Sequence, residues 1–297
     1  MSIKTSFSIK DLENLSGVKA HTIRIWEKRY NLLRPERSNT NIRTYNQENL
    51  MKLLNVSLMI QYGYKISKIA QISDLEMNQK IKELAIEKDN SLLAINSFKL
   101  AMMNFDQTLF DATFNQLLTQ SSFREIFLNV FLKLLEEIGV LWLTKTISPA
   151  HEHFISNLIK QKLLINIERV QQSNISANKI FVMYLPMNEI HELGLMYIHF
   201  ELLLKGYKSI YLGQSVPIES LKDLQAQYSD ITFISYFTVK PNIDKVKDYL
   251  TSFHSQLLSK SNDRLLIIGR NTDSIGKNDL PPQVEKFENI LNLIEQQ

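Results

Sequence analysis

The chain has 297 residues, 44% hydrophobic and 22% charged, a balance that suits two or three folded domains and excludes wholesale disorder. It has no cysteine, which excludes a disulfide framework, a thiolate nucleophile, a Cys-ligated zinc and a Cys-held iron–sulfur cluster. The net charge of +3 hides an asymmetry: residues 1–72 carry 12 Lys and Arg against 5 Asp and Glu, and the rest is mildly acidic, so the head is predicted to meet a polyanion.

Ser8-Ile-Lys-Asp-Leu-Glu-Asn-Leu15 predicts a first helix capped by Ser8. Ser16-Gly17-Val18 predicts a tight turn, and Lys19–Arg29 a second helix carrying Lys19, His21, Thr22, Arg24 and Arg29. This is helix-turn-helix spacing, with the second helix able to enter a major groove. The polar loop Leu33–Tyr45 follows, with Arg34, Arg37 and Arg43 suited to phosphates. A surface hairpin explains the loop alone but not cationic groups on both sides of a helix-turn-helix. Trp26 sits in an apolar helix face and is expected in the core.

The run TIRIWEKRYNLLRPER from Thr22 to Arg37, with Asn41-Ile-Arg-Thr-Tyr45, resembles the MerR-type DNA-binding domain over about residues 5–75. The resemblance implies a winged helix-turn-helix in a dimer or higher oligomer that reads a palindromic promoter element of double-stranded DNA. Thr22, Arg24 and Tyr30 would lie at the DNA, with Arg37, Arg43 and Tyr45 in the wing. Lys19, at the helix start, joins them as a DNA-binding residue.

Residues 76–172 contain one Pro, Pro149, and one Gly, Gly139. Leu92–Met103, Leu109–Leu118, Ser122–Trp142 and Ala150–Ile167 have helical spacing, and four helices with short connections make a bundle. Ser148-Pro149 marks the last break, with Ser148 as N-cap and Pro149 at the first helical position. Linkers are expected near Ser73–Glu76 and Gln171–Asn178.

Residues 178–297 alternate differently. Lys179–Tyr184, Ser209–Leu212, Ile231–Ser235 and Leu265–Ile268 suit buried parallel strands, separated by the helical patterns Leu193–Lys205, Ile218–Tyr228 and Ile243–Leu258. Residues 286–291 are expected as a fifth strand. The series predicts a doubly wound, Rossmann-like parallel sheet that binds ligands at the carboxyl ends of its strands. The predicted domains are therefore a DNA-binding head (1–75), a helical bundle (76–172) and an α/β domain (178–297).

Glu189-Ile-His191-Glu-Leu-Gly194 follows the first of these strands. Neutral imidazole ligates first-row transition metals, and a carboxylate such as Glu189 can accept its other ring N–H. Gly194 lets the next helix approach closely. A lone loop His is more often simply solvated. With Tyr211–Pro217, Ser235 and Gly269, the motif resembles the cobalamin-binding domain of methionine synthase and its relatives. That resemblance implies that His191 is the lower axial ligand of cobalt and that Ser235 and Gly269 line the channel for the nucleotide tail. The chain departs from it at Gly269-Arg270, where the family commonly has two glycines.

Trp142, then nine residues, then Glu152-His153 resembles the motif of the CarH/LitR-type photoreceptor regulators. In that group the head is MerR-type, and Trp and Glu shelter the adenosyl group of adenosylcobalamin. The resemblance implies a cap built from Trp142 and Glu152, with His153 beside it. It also implies light-triggered loss of the adenosyl group, disassembly of a dimer or tetramer, and release of DNA. Leu143 stands where those photoreceptors carry a His. His151-x-His153 is read as an accident of the helix start rather than a zinc site.

The expected function is a cytoplasmic DNA-binding regulator, a repressor, that senses adenosylcobalamin. The alternatives are a regulator whose tail serves only protein contacts and a corrinoid methyl-carrier module. No nucleophile–base pairing or phosphate loop calls for an enzyme. No apolar run approaches about 18 residues, so no membrane partner is expected, and MSIKTSFSIKDLENL lacks the apolar stretch of a signal peptide.

Overall fold

The computed structural model describes residues 6–37, 41–87, 91–171 and 179–297. Contacts divide the chain into two compact units, Met1–Ile159 and Lys160–Gln297. Among the described residues no helix is long and apolar enough to cross a membrane.

The first unit begins with α1 (Ile9–Ser16), whose N-cap Ser8 and Asp11 exchange hydrogen bonds in a capping box. α2 (Ala20–Tyr30) follows the turn at Gly17. A two-residue antiparallel ladder, β1 (Glu36–Arg37) with β2 (Arg43–Thr44), makes the wing. Phe7 and Tyr45 exchange both backbone bonds and so tie the base of the wing to the residues before α1. α3 (Gln47–Gln61), capped by Asn46, and α4 (Ile66–Ile69) complete the head. Trp26 is in the core, as expected.

The expected linker at Ser73–Glu76 is instead a helix start. Ser73 and Glu76 cap α5 (Asp74–Glu87), because Glu three residues after Ser satisfies the first free amides of a helix. The other expected linker, at residues 171–178, lies almost wholly outside the described residues.

α6 (Ser91–Asn104) and α7 (Gln107–Leu118) come next. The predicted Ser122–Trp142 helix is α8 (Phe123–Ile126), a widened π-type turn at Phe127–Phe131, and α9 (Leu132–Leu143). Phe98, Phe110, Phe114 and Phe131 stack at the centre, with Phe98 4.8 Å from Phe110 and Phe114 5.9 Å from Phe131. Burying each ring contributes roughly 2–3 kcal/mol. α10 (Pro149–Gln171) begins at the predicted proline.

The second unit holds a five-stranded parallel sheet. Its strands are β3 (Ile180–Tyr184), β4 (Lys208–Gly213), β5 (Ile231–Tyr236), β6 (Arg264–Ile268) and β7 (Val284–Lys286), in the order β4-β3-β5-β6-β7. The helices between them are α11 (Leu193–Leu204), α12 (Lys222–Gln225) after a 3-10 turn, and α13 (Val246–Phe253) between a 3-10 and a π-type turn. The strand order switches between β3 and β5, the position at which open α/β sheets bind ligands, at the carboxyl ends of their strands.

The fifth strand differs from expectation. It ends at Lys286, and residues 290–295 form α14 (Ile290–Glu295). The side chain of Asn289 accepts the Asn292 N–H, and this cap starts a helix where apolar content alone reads as strand.

Candidate functional site

In the head, Lys19, Arg24 and Arg37 are exposed, and Thr22, Tyr30 and Arg43 are partly buried. Lys19 reaches back to Glu13 at 3.3 Å, and the Arg29 guanidinium lies 5.4 Å from the centre of the Tyr30 ring. Arg37 donates to the Asn41 side chain across the wing at 2.5 Å.

Glu27 of α2 organises the wing. It accepts from Arg43 Nε at 3.1 Å and from the Tyr45 hydroxyl. Tyr45 is therefore not placed as a DNA contact: it is 1% exposed, and its hydroxyl is turned inward. Burial, then the bond to Glu27, pushes its pKa well above the ordinary tyrosine range, so it stays neutral. Tyr45 orients the wing, while the exposed arginines face outward.

In the tail, His191 sits on the loop after β3, at the carboxyl end of the sheet where the strand order switches. Its Nδ1 lies 2.6 Å from Glu189 Oε1, and its ring is 48% exposed. Glu189 is fully buried. Its Oε1 also accepts the N–H groups of Ile190 and His191 at 2.9 and 3.0 Å, and its Oε2 accepts those of Val239 and Lys240 at 2.6 and 2.7 Å. Burial alone would raise its pKa. The bonds from the His191 ring and the Lys240, His191 and Val239 amides outweigh burial and lower it to about 2. A fixed carboxylate at Nδ1 selects the tautomer whose lone pair is on Nε2, the form that ligates a metal.

The loop is pinned elsewhere too. Asn188 N–H donates to Ser215 Oγ at 3.0 Å, and Gln214 Nε2 to the Ile190 carbonyl at 3.1 Å. Glu192, next to the histidine, is buried and accepts from Lys160 at 2.5 Å and from the Tyr211 hydroxyl at 2.8 Å.

Gly194 and Gly269 both meet close neighbours. A Cβ on Gly194 would lie 2.7 Å from the Tyr236 ring, and one on Gly269, at φ 113, would lie 2.6 Å from the Phe237 carbonyl oxygen. Gly269 is thus required by backbone crowding and by its left-handed conformation. Ser235 is fully buried and donates to the Tyr184 carbonyl at 3.0 Å, so its hydroxyl bonds the neighbouring strand rather than facing a channel. Arg270 is exposed, at the first position of the 3-10 turn after Gly269.

Three features were missed in the sequence. The Val239 and Lys240 amides hold Glu189, Tyr236 packs on Gly194, and Met187, Ile190, Val239 and Ile243 stand exposed at the same sheet edge. Backbone amides carry no side-chain signature. The apolar rim was legible as loop residues of the wrong polarity.

In the first unit Trp142 is 44% exposed at the end of α9, beside an exposed Leu143. Glu152 lies on the first turn of α10, bonded to Ser156 Oγ at 3.0 Å and to His153 Nδ1 at 3.0 Å. His151 is buried. It stacks on Phe105 at 4.7 Å, and its Nδ1 accepts the Ser148 N–H at 3.2 Å, closing the start of α10. His153 is mostly exposed. The two rings diverge, and no cluster of His, Cys, Asp and Glu among the described residues could hold a metal ion by itself.

Residues 7–76 match the family described as MerR HTH family regulatory protein, and residues 94–165 match the B12 binding domain. The chain is similar to the HTH-type transcriptional repressor CarH of Myxococcus xanthus, 25% identical over 222 residues that span 73% of each chain. It is also similar to the HTH-type transcriptional repressor CarA of the same organism, 28% identical over 236 residues, 77% of this chain and 75% of that one. Among solved structures it resembles the monomethylamine corrinoid protein of Methanosarcina barkeri, with a TM-score of 0.57. That match is 12% identical over 70% of this chain and 98% of the other, a likeness of fold. The chain thus joins a MerR-type HTH to a B12-binding domain, and its likeness to the two repressors supports a CarH-like, B12-sensing transcriptional regulator.

Proposed function

We propose that the chain is a transcriptional repressor that holds adenosylcobalamin, with His191 as the lower axial ligand of cobalt and Trp142 and Glu152 sheltering the upper face. The observation that carries the reading is the 2.6 Å contact between His191 Nδ1 and a buried, ionised Glu189 at the carboxyl end of the sheet. Bound adenosylcobalamin supplies a cobalt–carbon bond that light can break.

The residues present fit such a group. Glu189 holds the imidazole in its metal-binding tautomer, and the bonds from that ring and the surrounding amides keep the carboxylate charged. The apolar rim of Met187, Ile190, Val239 and Ile243 suits the flat face of a macrocycle. The exposed Trp142 offers an apolar wall, and Glu152 an acceptor for sugar or base donors.

Several heads on one assembly bind an operator by avidity, so loss of assembly weakens repression. Cofactor shifts that equilibrium because the assembled form binds it better. The exposed arginines of α2 and the wing supply the phosphate contacts. Leu143, which cannot ligate a metal, leaves capture of cobalt by the residue after Trp142 out of the scheme.

Two measurements test this. Protein purified with adenosylcobalamin in the dark is expected to retain a visible spectrum, and His191→Ala to lose the axial-imidazole signature. A colourless wild type overturns the cofactor. Gel filtration before and after green light is expected to show a smaller species after illumination, and an unchanged elution volume overturns the light switch.

A further inference from the structure

The loop that leaves Trp142 is closed by two backbone bonds. Lys145, at φ 55, donates to the Trp142 carbonyl at 2.9 Å, and Thr146 donates to the Leu141 carbonyl at 2.9 Å. This paired closure fixes the residues after a helix to its last turn. Thr144 Oγ1 lies 2.9 Å from the Val140 carbonyl and 2.9 Å from Thr146 Oγ1. With the Thr144 proton on the carbonyl, Thr146 donates to Thr144. The buried Thr146 oxygen in turn accepts from Asn14 Nδ2 at 2.8 Å. Asn14 belongs to the last turns of α1, the first helix of the helix-turn-helix.

A second bridge lies beside the first. Buried Lys99 of α6 donates to the Leu15 carbonyl at 2.9 Å and pairs with Glu137 of α9 at 2.8 Å. The carboxyl end of a helix carries partial negative charge, so an ammonium is favoured there. Ser57 Oγ donates to the Ser16 carbonyl at 3.1 Å and completes the seat. Both bridges end on residues 14–15, directly before the turn into α2, and both trace back to α9, the helix that bears Trp142.

We propose that Asn14, Thr146, Lys99 and Glu137 are positioning residues that set the seat of the helix-turn-helix according to the state of Trp142. The inference rests on the cobalamin reading above and gives it a route to the DNA-binding head. Hydrogen bonds are short and directional, so a displacement of the last turn of α9 carries Thr144 and Thr146 with it and breaks or re-aims the bond to Asn14. A chain of linked hydroxyls also polarises as one unit, which makes the bridge respond as a whole.

The test is hydrogen exchange on the full chain in the dark, with and without adenosylcobalamin, while visible absorbance reads binding separately. In wild type the cofactor is expected to change exchange in peptides covering residues 9–30. Thr146→Val is expected to keep the absorbance of bound cofactor and lose that change, and Thr146→Ser, which retains the hydroxyl, to restore it. Asn14→Leu, at a half-buried position that spares the core, is expected to match Thr146→Val. A full change in both Thr146→Val and Asn14→Leu overturns the proposal, as does a wild type that binds cofactor with no change in residues 9–30. A wild type without bound chromophore overturns the cobalamin reading and the relay together, and the absorbance separates that case from failure of the relay alone.

Discussion

Glu27 in the head and Glu189 in the tail each hold an outward-facing group, but they are anchored differently. Glu27 takes its bonds from two side chains, Arg43 and Tyr45. Glu189 takes four of its five from backbone amides and one from the His191 ring. Side-chain partners can exchange for phosphate, which suits a wing that meets a polyanion. Backbone partners cannot leave without unfolding the loop, which suits an imidazole that must present one nitrogen at a fixed place. Preorganisation is therefore strong at the sheet edge and adjustable at the wing.

The comparison breaks hardest at Glu189. Glu189→Ala leaves buried amides without acceptors and is expected to destabilise the tail by about 3–5 kcal/mol, read by urea unfolding. A loss below about 1 kcal/mol would place the rigidity elsewhere. The same group predicts a pH response. Its folded value of about 2 lies below the ordinary 4.5, so its stabilisation is fully present above pH 4.5 and is lost as the pH falls toward 2. Acid unfolding of the tail in that window is expected to be blunted in Glu189→Gln.

Gly269→Ala comes next, because a Cβ there would meet backbone and would occupy a left-handed conformation. A cost of about 2–3 kcal/mol is expected from the thermal midpoint. Gly194→Ala, which meets only the Tyr236 ring, is expected to cost less. In the head, Tyr45→Phe removes one bond to Glu27 and is expected to cost about 1–2 kcal/mol in stability. The smallest effect separates wing from helix. Arg24→Ala is expected to leave stability unchanged and to lower the salt dependence of DNA binding by about one phosphate contact. Arg43→Ala is expected to lower that salt dependence likewise and, by removing the bond to Glu27, to loosen the wing, visible as faster exchange around Tyr45.

Much of the architecture was legible locally. Ser8 with Asp11, Ser148-Pro149 and the β-branched runs each mark an element within a few residues, because caps and periodicity are short-range effects. Glu189 and His191 were legible for the same reason: their contact spans two residues. Tyr45 was not. Its hydroxyl reads as a polar contact group until the fold places Glu27 beside it, 18 positions earlier in the chain. Ser235 was likewise read as facing a ligand, and only the pairing of β5 with β3 brings the Tyr184 carbonyl to it.

Composition, spacing and capping residues alone determined a basic helix-turn-helix head, a helical middle and a parallel α/β tail, since each depends on neighbours along the chain. Tertiary structure decided which polar groups face inward, where the fifth strand stops, and which residues join the helix-turn-helix to the loop after Trp142. Those outcomes depend on partners brought together from afar, such as Val239 with Glu189 and Thr146 with Asn14, 50 and 132 positions apart. Burial is a property of the folded chain, and a hydroxyl or amide acquires its role only when that burial selects its partner.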